Sequence, residues 1–172
     1  MRLFHISEEP DITQFVPRVP DREDFDKTQG LVWALSEPCL PNFLTPRDCP
    51  RVAYYATEKT AKEDISAFFS SLSRHCVAIE HRWYKKMAET HLYLYEFDSS
   101  NFRLQDQCAG YYVSTQTETP VSKIKMDNLF EELFARGVEV KLLNDLWFLS
   151  DKVKQSTLNW SLCRMRNAKP RL

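Results

Sequence analysis

His91-Leu92-Tyr93-Leu94-Tyr95-Glu96-Phe97 has the alternating character of a β-strand, in which successive side chains point to opposite faces of a sheet. A second informative stretch lies downstream. Asp127 is placed to cap a helix running through Arg136, with Leu129, Phe130, Leu133 and Phe134 as its buried stripe, and Gly137 ends it in the position that favours a left-handed residue. Val138 to Leu143 then reads as a final strand. Strand followed by capped helix followed by strand sets the class.

Working outward, further strands are expected at residues 2–7, 31–35, 52–56, 76–80, 110–114 and 121–126. Thr60 is placed to cap a helix reaching about Ser73, because Ile65, Phe68, Phe69 and Leu72 recur at i, i+3, i+4 and i+7. His81 to Glu89 reads as helical, and Leu40 to Leu44 as a helical turn. Residues 8–30 are polar and proline-punctuated, a long loop anchored by Phe15, Val16 and Val19. No repeat is present, and the regular βαβα alternation of a doubly wound fold is missing. The expected class is α+β: one domain over residues 1–149, with a mixed, mainly antiparallel sheet flanked by helices, then a basic C-terminal helix or tail over 150–172. That tail sets Asp151 against Lys152, Lys154, Arg164, Arg166, Lys169 and Arg171.

Composition narrows the function classes. The 172 residues are 43% hydrophobic and 13% aromatic, enough for a sizeable core, so disorder throughout is excluded. A formal net charge of -1 gives no global field for nucleic acid or membrane, and nucleic acid would have to be met through the basic tail. Three glycines are too few for a glycine-rich phosphate loop, so a phosphate would be held by arginines, turn amides or a helix N-terminus. The five cysteines are scattered, without metal-ligand spacing. With no signal-peptide pattern and no long apolar span, a cytoplasmic protein is expected.

Two segments have the composition of a site. In Thr45-Pro46-Arg47-Asp48-Cys49-Pro50-Arg51, two guanidiniums four residues apart would clamp a phosphate, or Asp48 would pair with one of them and pin the turn. Cys49 would be a nucleophile only if the arginines depressed its pKa. In Leu3-Phe4-His5-Ile6-Ser7-Glu8, His5 and Ser7 share a strand face, where His5 would act as a base or bond a ligand hydroxyl, or would simply be a satisfied core histidine. Trp33 and Tyr112 are candidate stacking residues, and Glu118 reads as a solvated loop carboxylate. His5 and the two arginines are expected to converge on one hollow for an anionic ligand.

Leu3 to Glu8, Val32-Trp33-Ala34, Thr45 to Val52, Ala109 to Ser114 and Leu143 to Trp147 resemble a bacterial family of unknown function marked by the Pro-Arg-Asp-Cys-Pro motif. A looser likeness is to ADP-ribosyltransferase-like domains, whose opening strand carries a histidine. It implies that His5 holds the ribose of NAD and that Trp33 stacks near the nicotinamide. It also implies a glutamate on a later strand, where this chain has Gly110-Tyr111-Tyr112 and Glu118 is the nearest substitute. RNA 2'-phosphotransferase-like relatives use histidine and arginines without that glutamate, which suits His5, Arg47 and Arg51. The expectation is therefore a domain that binds NAD or another phosphorylated nucleotide. The alternative is a non-catalytic binding or structural module with a protein partner.

Overall fold

The computed structural model describes residues 1–20, 26–70 and 72–171. Its strands are β1 (Leu3–Ser7), β2 (Val32–Ser36), β3 (Arg51–Tyr55), β4 (His75–Glu80), β5 (Leu92–Phe97), β6 (Arg103–Asp106), β7 (Tyr111–Ser114), β8 (Ser122–Met126), β9 (Val138–Leu143) and β10 (Asn159–Cys163). Its α-helices are α1 (Lys62–Phe68), α2 (Tyr84–Glu89), α3 (Leu129–Ala135) and α4 (Trp147–Lys154). The fold is α+β. Its contacts divide the chain into two units, Met1–Leu40 with Leu92–Met126, and Pro41–His91 with Asp127–Leu172.

The first unit holds an antiparallel six-stranded sheet in the order β6-β7-β2-β1-β5-β8. The register sets Leu3 opposite Phe97 and His5 opposite Tyr95, so alternation brings their side chains to one face. Leu3, Phe15, Val32, Ala34, Tyr95 and Phe97 form its core cluster. Of the expected loop anchors, Phe15 is buried and pairs with Glu118 through its backbone, whereas Val16 and Val19 are exposed. Residues 21–25 of that loop lie outside the described residues.

The second unit holds a four-stranded sheet in the order β10-β3-β4-β9, antiparallel except for the parallel pair β4 and β9. Val52, Tyr54, Cys76 and Ala78 occupy one face, packed against Phe69, Leu146 and Val153. The segment 150–171 is built into this unit: it completes α4 and supplies β10, which pairs with β3 along its whole length. Val138 to Leu143 is therefore not the last strand.

Two helices depart from their sequence pattern. Helix α1 begins at Lys62 and ends at Phe68, because Phe69 turns extended and buries its ring against Tyr54. The Phe68 carbonyl is met instead by the Tyr54 hydroxyl at 3.0 Å and Lys141 Nζ at 2.6 Å. Thr60 closes a turn with Thr57 rather than capping the helix, and Leu72, expected in the core, is 99% exposed. In α3 the cap is Asn128, whose side chain accepts from the Glu131 amide, and Gly137 has the expected positive φ of 69°. Leu129 and Leu133 are buried, but Phe134 is 59% exposed.

Candidate functional site

The Pro46–Pro50 segment is a tight turn, closed by the Cys49 amide on the Pro46 carbonyl at 3.0 Å with Arg47 and Asp48 exposed at its tip. Arg51 begins β3 and lies beneath the turn, only 5% exposed. Its Nε donates to the Asn42 carbonyl at 2.5 Å and its Nη1 to the Cys49 carbonyl at 3.1 Å, with the guanidinium carbon 5.1 Å from the Phe43 ring centre. Arg51 thus pins the turn through backbone carbonyls rather than through Asp48. The Asn42 side-chain oxygen lies 2.7 Å from His75 Nε2, which makes Nε2 the protonated nitrogen. Burial lowers the His75 imidazole to about 4, so it stays neutral.

Cys49 is fully buried, and burial pushes its thiol up to about 12 in spite of the Arg51 charge. A nucleophile role at Cys49 is overturned by that placement: the arginine beside it is spent on carbonyls, and desolvation outweighs its attraction.

The C-terminal segment docks on the same turn. Arg164 Nε donates to the Arg47 carbonyl at 3.1 Å and Asn167 Nδ2 to the Asp48 carbonyl at 2.8 Å. Asn167 in turn accepts from Arg82 Nη2 at 2.8 Å. Glu80, fully buried at the end of β4, takes Arg82 Nε and the Lys169 amide at 2.7 Å each. A buried carboxylate costs several kcal/mol of desolvation unless it is met in this way, so Glu80 fastens the segment 167–169 firmly. Arg164 has a left-handed backbone (φ 54°, ψ 26°), the one described non-glycine residue with positive φ. Arg47, Arg82, Arg164 and Arg166 are all exposed. Two features that the sequence presents separately, the proline-framed arginines and the basic tail, form one surface. Arg82, Glu80, Arg164 and Asn167 had no signal in the sequence beyond the charge of the tail, because their partners are single backbone carbonyls and one buried carboxylate.

The remaining candidates lie in the first unit. The His5 Nδ1 donates to the Trp33 carbonyl at 3.0 Å, just past the two registered pairs of β1 with β2, and the imidazole packs 4.7 Å from the Phe15 ring. A carbonyl only accepts, so that bond puts a proton on Nδ1. Tyr112 packs on the same core cluster as Leu3 and Ala34. Trp33 and Tyr111 contact each other edge-on at 5.2 Å, and alternation places them on the other face from His5, Ser7 and Tyr112. Glu118, expected in solvent, is buried and accepts from Ser114 Oγ at 2.5 Å. Among the described residues, no group of His, Cys, Asp or Glu is placed to hold a metal ion, and no helix is long and apolar enough to cross a membrane.

A family model described as a family of unknown function (DUF6886) matches residues 4–168. The chain belongs to that family. Neither a curated protein nor a solved structure matches it. The DUF6886 match takes in both the His5 strand and the Pro46–Pro50 turn, and it extends through β10 and the docked segment that carries Arg164 and Asn167.

Proposed function

We propose that this DUF6886 protein binds a phosphorylated ligand on the arginine-bearing surface of the second unit, with NAD and ADP-ribose as the nucleotides of first choice. The observation that carries the reading is the docking of residues 164–169 on the Pro46–Pro50 turn, which joins Arg164 to the Arg47 backbone and Asn167 to the Asp48 backbone and to Arg82. Guanidinium forks match the geometry of phosphate oxygens, and each such bond is charge-assisted. The left-handed backbone of Arg164 supports the same reading, since a non-glycine residue holds it at a cost of about 1–2 kcal/mol. The Arg51 lock keeps the turn rigid, which lowers the ordering cost of binding. Binding alone is proposed, because the thiol within the motif is sealed and pushed toward its neutral form.

A thermal-shift screen with NAD, ADP-ribose and inorganic pyrophosphate tests this. The expected result is a rise in melting temperature that an Arg47→Ala, Arg164→Ala double variant loses. No rise with any of the three, or an equal rise in the double variant, rejects the reading. The same screen on His5→Ala reports separately on the first unit, where His5, Ser7 and Tyr112 share one sheet face and Trp33 lies on the opposite one.

A further inference from the structure

The strap formed by residues 164–171 runs on from the Pro46–Pro50 turn to helix α4. Trp147 Nε1 donates to the Lys169 carbonyl at 2.7 Å, and Lys169 Nζ donates to Asn144 Oδ1 at 2.6 Å. Arg171 donates from Nη2 to Asp151 and holds its guanidinium carbon 5.1 Å from the Trp147 ring centre. Phe148 is 70% exposed, and Lys152 Nζ stands 4.6 Å from its ring centre. Residues four apart on a helix are neighbours, so Phe148 meets Lys152 on one side of α4 and Trp147 meets Asp151 on the adjoining side. The helix thus carries two cation–aromatic pairs next to each other, Trp147 with Arg171 and Phe148 with Lys152.

We infer that α4 and the strap bind single-stranded nucleic acid, with a base stacked on Phe148 and phosphates along Lys152, Arg171 and the other cations of the strap. The inference takes from the reading above only that the Arg164 end of the strap holds phosphate. Charge complementarity supports this occupant. Residues 164–171 carry Arg164, Arg166, Lys169 and Arg171 and no acid, in a chain whose net charge is -1, so the positive field is local to this segment. The acids beside it on α4 are engaged: Asp151 holds Arg171, and Asp145 accepts from the Trp147 amide at 3.1 Å. Cations for the backbone beside an exposed aromatic ring are what a sequence-tolerant single-strand site combines. In a duplex the bases are already stacked and leave no face for Phe148. The seven steps from Arg164 to Arg171 span at most about 25 Å, room for several nucleotides. An acidic peptide would satisfy the cations and leave Phe148 in water. A lipid surface would need an apolar side of α4 turned outward, but Val153 is buried, Leu149 half-buried, and Phe148 is the one exposed apolar side chain of the helix.

Fluorescence anisotropy of a labelled single-stranded RNA of about twelve nucleotides, a length within the span of such sites, tests the inference on the full chain. The wild type is expected to give a saturating rise at about 50 mM salt that weakens steeply toward about 200 mM. Phe148→Ala, a change at an exposed position, is expected to weaken binding about tenfold while circular dichroism and the response to ADP-ribose stay as in the wild type. Lys152→Glu is expected to weaken it to a similar degree and provides the test should the first variant fail to fold. The blunt duplex of the same sequence is expected to bind more weakly than the single strand. No rise with the single strand, an affinity untouched by both variants, or a duplex bound as tightly overturns the inference. So does retention on phosphatidylserine vesicles without a response to RNA, which assigns the face to lipid. A response to ADP-ribose in a protein blind to RNA overturns this inference alone. RNA binding that Phe148→Ala weakens, without a response to ADP-ribose, upholds it and rejects ADP-ribose as the ligand.

Discussion

Replacing Arg51 with Met keeps the length of the side chain and removes its charge and its donors. In the folded protein that guanidinium holds the carbonyls of Asn42 and Cys49 at 2.5 and 3.1 Å and lies over Phe43. A hydrogen bond to a charged group contributes about 1.5–3 kcal/mol, and a buried acceptor left unmet costs about 1–3 kcal/mol. Two such bonds lost amount to about 3–6 kcal/mol, offset by about 1–2 kcal/mol because a guanidinium no longer has to leave water. The net expected loss is about 3 kcal/mol. In a chain of this size that lowers the melting temperature by about 6–12 °C. Urea unfolding followed by tryptophan fluorescence, with calorimetry alongside, measures it. The control is Arg47→Met at the exposed tip of the same turn, expected to stay within about 0.5 kcal/mol of wild type. A loss below about 1 kcal/mol for Arg51→Met, or equal losses for the two variants, refutes the assignment of Arg51 as the lock of the turn.

The His75 imidazole, lowered by burial from 6.5 to about 4, makes stability fall with pH. Between those values the unfolded chain binds a proton that the folded chain does not, so stability present above pH 6.5 is lost progressively down to about 4, by about 3 kcal/mol in all. His75→Gln is expected to flatten that stretch of a stability–pH curve, and an unchanged slope would count against it. Gly110 has φ +68°, and a Cβ there would stand 2.5 Å from Cys39 Sγ and 2.6 Å from Ser36 Oγ, whereas nothing lies within 4 Å of one at Gly137. Gly110→Ala is therefore expected to destabilise by more than about 2 kcal/mol and Gly137→Ala by about 1 kcal/mol; similar urea midpoints for the two would refute this. Among the thiols, exposed Cys108 is expected to react first with a disulfide reagent, while buried Cys49 and Cys76, both pushed up to about 12, stay silent until the chain unfolds. Cys108→Ser should remove the fast phase, and rapid labelling of Cys49 in the native protein would contradict the burial.

Much of the architecture was legible from side-chain periodicity, because a strand or helix with one buried face repeats its apolar residues at the spacing of its geometry. β5, the Asn128-capped helix and β9 carry such repeats and fold close to their expected bounds. β6 is exposed along its whole length and carries no repeat, and Asn159–Cys163 pairs through its backbone with a mixed polar and apolar face, so neither strand stood out. Helical spacing misled at Leu72 and Phe134. At Leu72 the chain has already left the helix at Phe69, and at Phe134 a second apolar side of α3 faces outward. At the candidate surface, the residue types were readable but their use was not. Arg47 and Arg51 look alike in the sequence, yet one is exposed and the other is buried on carbonyls. Glu118 looks like a loop carboxylate, but pairing with the Phe15 backbone draws it inside.

The central claim is that the turn and the docked C-terminal segment together hold phosphate. Isothermal titration of ADP-ribose into the wild type and the Arg47→Ala, Arg164→Ala variant, each at low and high salt, tests it most directly. The account predicts saturable one-to-one heat in the wild type that weakens as salt screens the guanidiniums, and none in the variant. No heat in the wild type, or the same isotherm in both proteins, would contradict it.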